Sequence, residues 1–406
     1  MPDNAGKNKN IFIRIIKKAK IFTKKLPVWV TVCAALLTAI ICVFGTYFAV
    51  SYDNIGKMAI KLRKIENIVN KNYYGEYEQS DLEDAVFSGY IDGIGEEYGF
   101  YKSGDDAEDV ADSFEGNSNG IGVTVFKNDA AEGLQIYRID KDSPADSAGV
   151  KPGDIIINID GKKVSETGYS AAKKMLSKKD GEKSQIICLR NNAEISFTVT
   201  HTEFVRQTVY SRIIDSYGYI CFTAFNSATV RQFNDTLEDF TAKNVKGLIF
   251  DVRDNGGGSV SSVCKILKKL VGKCNLITVE YANGKKKVLY KSDKNKCNLP
   301  MAVLTNSSTA SASELFAATL RDMNKSPLIG GTTFGKGVMQ KTYFLSDGSC
   351  VRITVGKFYP PSGVCFDEVG LKPDYKVFYA DEQYDERYIL GDSDPYIQKA
   401  LEVLKK

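Results

Sequence analysis

Residues 28–50 form 23 consecutive positions without a charged side chain, built largely from Val, Ala, Leu, Ile and Phe, and this run constrains the chain more than any other feature. At about 1.5 Å of rise per residue, a helix of this length crosses a hydrocarbon core of about 30 Å. A cleaved secretory signal has a shorter apolar region, of about 7–15 residues, so an uncleaved anchor is the favoured reading. Lys7, Lys9, Arg14, Lys17, Lys18, Lys20, Lys24 and Lys25 precede the run, against one acid, Asp3. Trp29 and Tyr47 stand near its two ends, where amphipathic rings prefer the interface. The charge asymmetry predicts a single-pass protein of the cell membrane. Residues 1–27 form a basic cytoplasmic tail, 28–50 the transmembrane helix, and the rest lies outside the cytoplasm.

The 406 residues carry a formal charge of +4, but the basic tail accounts for it. Eight of the 54 basic side chains and one of the 50 acidic ones lie in residues 1–25, leaving 46 against 49 elsewhere. A folded part that is slightly acidic has no electrostatic footprint for nucleic acid. His201 is the one histidine, which leaves at most one site for imidazole chemistry and excludes a zinc cage needing two. The nine cysteines show no C-x-x-C pair, so neither a metal site nor a dense disulfide framework is expected.

Residues 51–115 mix charges with apolar residues at helical spacing and are expected to form two or three short amphipathic helices without chemistry of their own. From Gly116 the pattern changes. Gly120-Ile121-Gly122-Val123-Thr124-Val125 opens an alternating stretch, and Ser143-Pro144-Ala145 leads through Gly149-Val150-Lys151-Pro152-Gly153-Asp154 into an apolar strand at 155–159. Residues 116–203 resemble a PDZ domain, a small barrel-like sandwich with helices. The glycine loop would leave backbone N–H groups of Gly120, Ile121, Gly122 and Val123 for a peptide that adds as a strand to the sheet edge. Beyond 204 strands alternate with helices, giving an α/β core to about 380, and 381–406 ends in a helix with Ile397, Leu401 and Leu404 on one face. The whole is a multidomain α+β and α/β chain.

Three loops of this core fall at the ends of strands, where ligands gather in open α/β sheets. Gly256-Gly257-Gly258 can present N–H donors to a developing oxyanion, or simply make a strand-to-helix turn. Ser311-Ala312-Ser313-Glu314 is a capping box, yet a serine at a helix start is equally placed to attack a carbonyl. Gly330 to Gly337 satisfies G-x-x-x-x-G-K but has Gly337 where a nucleotide loop needs Ser or Thr, and a strand pattern follows. Lys336 in this loop is a turn lysine or, if shielded from water, a base near neutral pH.

Together, residues 247–253 with the glycine loop, Thr309-Ala310-Ser311-Ala312-Ser313-Glu314 and Phe334-Gly335-Lys336-Gly337-Val338-Met339-Gln340 resemble the carboxy-terminal processing peptidases, in the right order behind a PDZ domain. The resemblance implies a Ser/Lys endopeptidase in which Ser311 is the nucleophile, Lys336 the general base and Gln340 the residue orienting it. It also implies an oxyanion hole from the N–H groups of Gly257 and Ala312. No metal or cofactor is required. The implied substrates are proteins with unstructured apolar C-terminal tails, and self-association is left open. Ser177 stands where many relatives carry a basic residue near the end of the PDZ helix, which puts the control of the site by the PDZ domain in question. His201, at the end of a PDZ strand, is expected to be incidental, exposed or partly packed. The alternative from another class is a catalytically silent, membrane-tethered PDZ scaffold; a third, ATP binding at the Lys336 loop, predicts phosphate-dependent binding that the loop's ending disfavours.

Overall fold

The computed structural model describes residues 27–52, 54–118, 120–294, 297–379 and 391–406. The basic tail up to residue 26 and the first part of the C-terminal segment lie outside the described residues. The chain divides into two units, residues 1–81 and 82–406.

In the first unit, Val28–Tyr52 is one helix, followed by a second, Asn54–Asn72. Val28–Thr46 is long and apolar enough to cross a membrane, and none of that window is buried within the protein. Trp29, Leu36, Ile40 and Phe44 all point outward. Such a helix, apolar all round and unpacked, has no reason to be stable in water and matches a lipid environment.

The second unit holds three sheets that matter for function. In the PDZ-like part, five antiparallel strands lie in the spatial order Val123–Asn128, Gly133–Ile139, Ile155–Ile159, Lys183–Arg190 and Ala193–Thr200, with the short Lys162–Lys163 beside the third. Ile121, Leu134, Ile136, Ile156, Ile186, Cys188 and Val199 form its core. Val123–Asn128 is an edge strand. His201 is fully buried in this part, which corrects the expectation of an exposed or partly packed residue. Its Nε2 lies 2.9 Å from Ser184 Oγ, and its backbone is bonded to Gly181 and Glu182. It is a satisfied polar residue under the sheet.

The peptidase core is a six-stranded sheet ordered Val209–Ile214, Tyr217–Phe222, Leu248–Asp251, Met301–Thr305, Leu328–Gly330 and Tyr375–Lys376, parallel after the first pair. Strands covered on both faces are largely apolar, as in Leu248–Asp251 and Met301–Thr305, where every residue is buried and only the terminal Asp251 and Thr305 are polar. One face packs Phe222, Phe225, Phe250 and Phe316 together, with ring centroids 5.2–6.0 Å apart. On the other, Ile249, Leu304 and Ile329 meet the helix Pro395–Leu404 through Tyr396, Ile397 and Leu401. Because the strands are parallel, the loops after Leu248–Asp251, Met301–Thr305 and Leu328–Gly330 leave the same edge of the sheet.

A second, antiparallel sheet runs Phe100–Lys102, Cys350–Tyr359, Asn275–Tyr281 and Lys286–Lys291, with Val338–Phe344 also on Cys350–Tyr359. The strand Phe100–Lys102 belongs to the stretch expected to be helical and without chemistry. Its register, Phe100 opposite Arg352, carries residues 96–98 into the peptidase core. Helices Gln79–Asp92 and Gly104–Glu115 flank it.

Candidate active site

The three loops foreseen at strand ends are tied into one structure by buried polar bonds. Asn255 is fully buried; its Nδ2 donates to the Phe222 carbonyl at 2.9 Å, and its own carbonyl accepts from the Ala310 N–H at 3.1 Å. Thr309 Oγ1 donates to the Val252 carbonyl at 2.8 Å, and Phe334 N–H to the Thr309 carbonyl at 2.9 Å. Gly257, at φ 106°, runs so close to the serine loop that a Cβ there would lie 2.9 Å from Ala312 N and 3.0 Å from Ser311 Cβ. Only glycine allows both the dihedral and the approach. The Gly257 N–H donates to Asn255 Oδ1 at 2.9 Å.

Ser311 has φ 57° and ψ −115°, a conformation that costs a non-glycine residue on the order of 1–3 kcal/mol and persists only where its surroundings impose it. Here the imposing group is Glu314. Read from sequence, this residue completes a capping box, and it does accept from the Ser311 N–H at 2.8 Å. It also accepts from the N–H groups of Gly335 and Lys336, each at 2.8 Å, and from the Thr333 hydroxyl. One fully buried carboxylate thus joins the backbone of the serine loop to that of the lysine loop. Burial pushes its pKa above the ordinary carboxyl value, although those four donors oppose the shift.

Lys336 is half-buried, with Nζ 3.7 Å from the centroid of the Tyr98 ring. Burial pulls its pKa below the ordinary lysine value and the Arg352 charge adds to this, while Glu96 and Glu97 oppose it. Among the described residues no hydrogen bond joins Ser311 Oγ to Lys336 Nζ; the ammonium lies on the tyrosine face. Gln340 Nε2 donates to Thr354 Oγ1 at 2.9 Å, whose hydroxyl donates to Glu96 Oε1 at 2.6 Å. Gln340 therefore lies at the ladder's register shift, next to Met339, and is bonded across the sheet rather than to the lysine. Sequence reading missed Tyr98, Glu96 and Thr354. Their only signal is the long-range pairing of Phe100–Lys102 with Cys350–Tyr359, which has no local signature.

In the PDZ-like part, Gly120 to Val123 stand at the head of the edge strand. Gly120 N–H donates to Ser118 Oγ at 3.3 Å and Ile121 N–H to the Leu176 carbonyl at 3.2 Å, so both donors already have partners. Gly122, at φ 79°, lies against Ser143, whose Cβ would be 2.1 Å from any Cβ placed there.

Comparison with known proteins agrees with this architecture. Residues 216–377 match the model of Peptidase family S41, and residues 119–200 that of a PDZ domain. The carboxy-terminal processing protease CtpA of Bacillus subtilis is 32% identical over 354 residues, covering 85% of this chain and 76% of that one. CtpB of the same organism is 29% identical over 320 residues, covering 77% and 66%. An S41 protease structure from Bacteroides fragilis shares the fold with a TM-score of 0.57, at 19% identity and over 82% of this chain and 99% of that one. Fold and site together define a serine-type peptidase with a PDZ domain ahead of its core. The chain belongs to peptidase family S41, among the carboxy-terminal processing peptidases.

Proposed function

We propose that this chain is a membrane-anchored endopeptidase that cuts proteins near their C-termini with Ser311 as nucleophile and Lys336 as general base. The observation that carries the assignment is the Glu314 carboxylate, which fixes the backbone of both residues at once. In the reaction, neutral Lys336 Nζ takes the Ser311 hydroxyl proton as Oγ attacks the peptide carbonyl carbon. The oxyanion forms beside the Ala312 N–H at the start of helix Ala312–Asn324, with the Gly257 loop against it. Lys336 returns the proton to the leaving amine, and water, deprotonated by the same lysine, hydrolyses the ester on Ser311.

A lysine base must be uncharged, and the burial that lowers the Lys336 pKa supports this role. For catalysis Nζ leaves the Tyr98 ring for Ser311, so the arrangement described here is a resting one. Gln340 leaves Thr354 and steadies the amine once it has turned. The substrate's apolar tail joins the sheet at the edge strand Val123–Asn128, beside Gly120–Val123. Residues 28–50 hold the protein in the membrane with the basic tail in the cytoplasm and the peptidase outside.

The test uses the full chain in detergent with an unfolded protein bearing an apolar C-terminal tail, products being identified by mass spectrometry. The wild type is expected to cut near the C-terminus, and Ser311→Ala and Lys336→Ala to leave the substrate whole. Cleavage persisting in either variant overturns the dyad. A folded wild type that binds the tail, cuts nothing and resists a serine-directed probe would instead fit the scaffold reading.

A further inference from the structure

A cavity of about 1080 Å³ lies between the PDZ domain and the parallel sheet. It extends from Ser118 and Ser177, at the head of the edge strand, to Ser308 and Thr332, in the loops that carry Ser311 and Lys336. Neither catalytic side chain lines it, so it is separate from the attacking groups but ends beside them.

Arg138 stands in its wall. This residue belongs to the strand Gly133–Ile139, pairs with Thr124 of the edge strand, and so sits one strand in from the edge where a peptide would add. Its guanidinium lies 4.5 Å from the centroid of the Tyr210 ring and 5.0 Å from that of Tyr137. Its one hydrogen bond among the described residues is from Nη2 to Cys221 Sγ, at 3.7 Å. A guanidinium is charged at every relevant pH and has five donors, while a thiol sulfur is a weak acceptor. The acids nearby serve other groups. Asp140 accepts from the Tyr210 hydroxyl at 3.1 Å and faces Arg206 at 3.7 Å, and Asp251 and Asp394 both bind Arg253. Among the described residues Arg138 has no ion pair. A half-buried cation without a carboxylate is costly to the fold, and the aromatic rings on it hold the planar fork without using its donors.

We propose that Arg138 receives a carboxylate of the bound peptide in this cavity. A carboxylate is the planar anion that a guanidinium fork binds through two parallel bonds. The peptide is the ligand because the cavity begins at the edge strand and ends at the catalytic loops. The N–H groups of Gly120 and Ile121 are already engaged, so two of the loop's four backbone donors are unavailable to the carboxylate and a guanidinium beside them adds what they do not supply. The inference rests on the reading of this chain as a peptidase that captures tails, but its test measures binding and is independent of cleavage.

The full chain in detergent, carrying Ser311→Ala, is titrated with a labelled ten-residue apolar peptide in three forms: free C-terminal acid, C-terminal amide, and the amide with one internal glutamate. The free acid is expected to bind about tenfold more tightly than the amide, and Arg138→Gln to reduce that ratio below about twofold at unchanged thermal midpoint. Tight binding of the glutamate-bearing amide, abolished by the same substitution, assigns the site to a side-chain carboxylate instead of the terminal one. A ratio unchanged in Arg138→Gln overturns the proposal. A second measurement needs no variant: the free-acid peptide protects Arg138 from phenylglyoxal, read by mass spectrometry, and equal modification with and without peptide overturns the proposal should the substituted chain not fold. A wild-type chain that cuts nothing while the acid-to-amide ratio is intact in the Ser311→Ala chain would count against the dyad alone.

Discussion

Lys336 and Glu314 illustrate how differently two residues of one site can be disclosed by sequence. In the sequence Lys336 is a turn lysine or, where shielded from water, a base, and in the structure burial holds its pKa below the ordinary lysine value. The active form of a lysine base is neutral, so the rate falls as the pH drops through its pKa. The limb of the kcat/KM profile is therefore expected below the ordinary lysine value of 10.5. Glu97 raises this pKa, so Glu97→Gln is expected to move the limb to lower pH, and a limb that stays in place removes Lys336 as its source. Glu314, read as a helix cap, turns out to tie two loops together. Glu314→Gln replaces one acceptor oxygen by an NH2 group facing backbone N–H donors. It is expected to cost ~1–3 kcal/mol of stability and to lower kcat about 100-fold with little change in KM. Chemical denaturation and steady-state kinetics on the same preparation check both numbers. A change confined to KM would place Glu314 in substrate binding.

At the scale of elements, the helix Ala312–Asn324 is held by its buried face. Phe316 is fully buried and contacts Phe222, Phe225 and Phe250. Phe316→Ala is expected to destabilise the protein by about 3–5 kcal/mol in denaturant unfolding. A loss under about 1 kcal/mol would mean the surrounding rings collapse into the gap. Strands and helices with a strong periodic signal were legible: the apolar run around residues 248–251 and the amphipathic C-terminal helix are both where the pattern puts them. The strand Phe100–Lys102 was not, because three residues give no period and its pairing partner, Cys350–Tyr359, is some 250 residues away. His201 was misjudged for a related reason. Its burial depends on which face of a sheet closes over it, and the Ser184 partner that makes burial tolerable lies on another strand.

For the molecule as a whole, the apolar helix Val28–Tyr52 is the feature with the largest cellular consequence. The full chain is expected to remain with membranes through a carbonate wash, and a chain starting at residue 54 to be released. Protease added to intact cells is expected to digest the part beyond residue 54 and to spare a tag at residue 1; the reverse pattern would invert the proposed topology. Sequence alone determined the long apolar helix, the order of the PDZ and peptidase parts, the family resemblance and the serine and lysine loops, because each is written in a contiguous run whose composition or spacing has a local physical meaning. Tertiary structure decided that Glu314 joins those loops, that Lys336 rests on Tyr98, and that Arg138 faces a cavity with no carboxylate partner among the described residues. These depend on strand register and on burial, and both arise only when segments far apart in the chain exclude water between them.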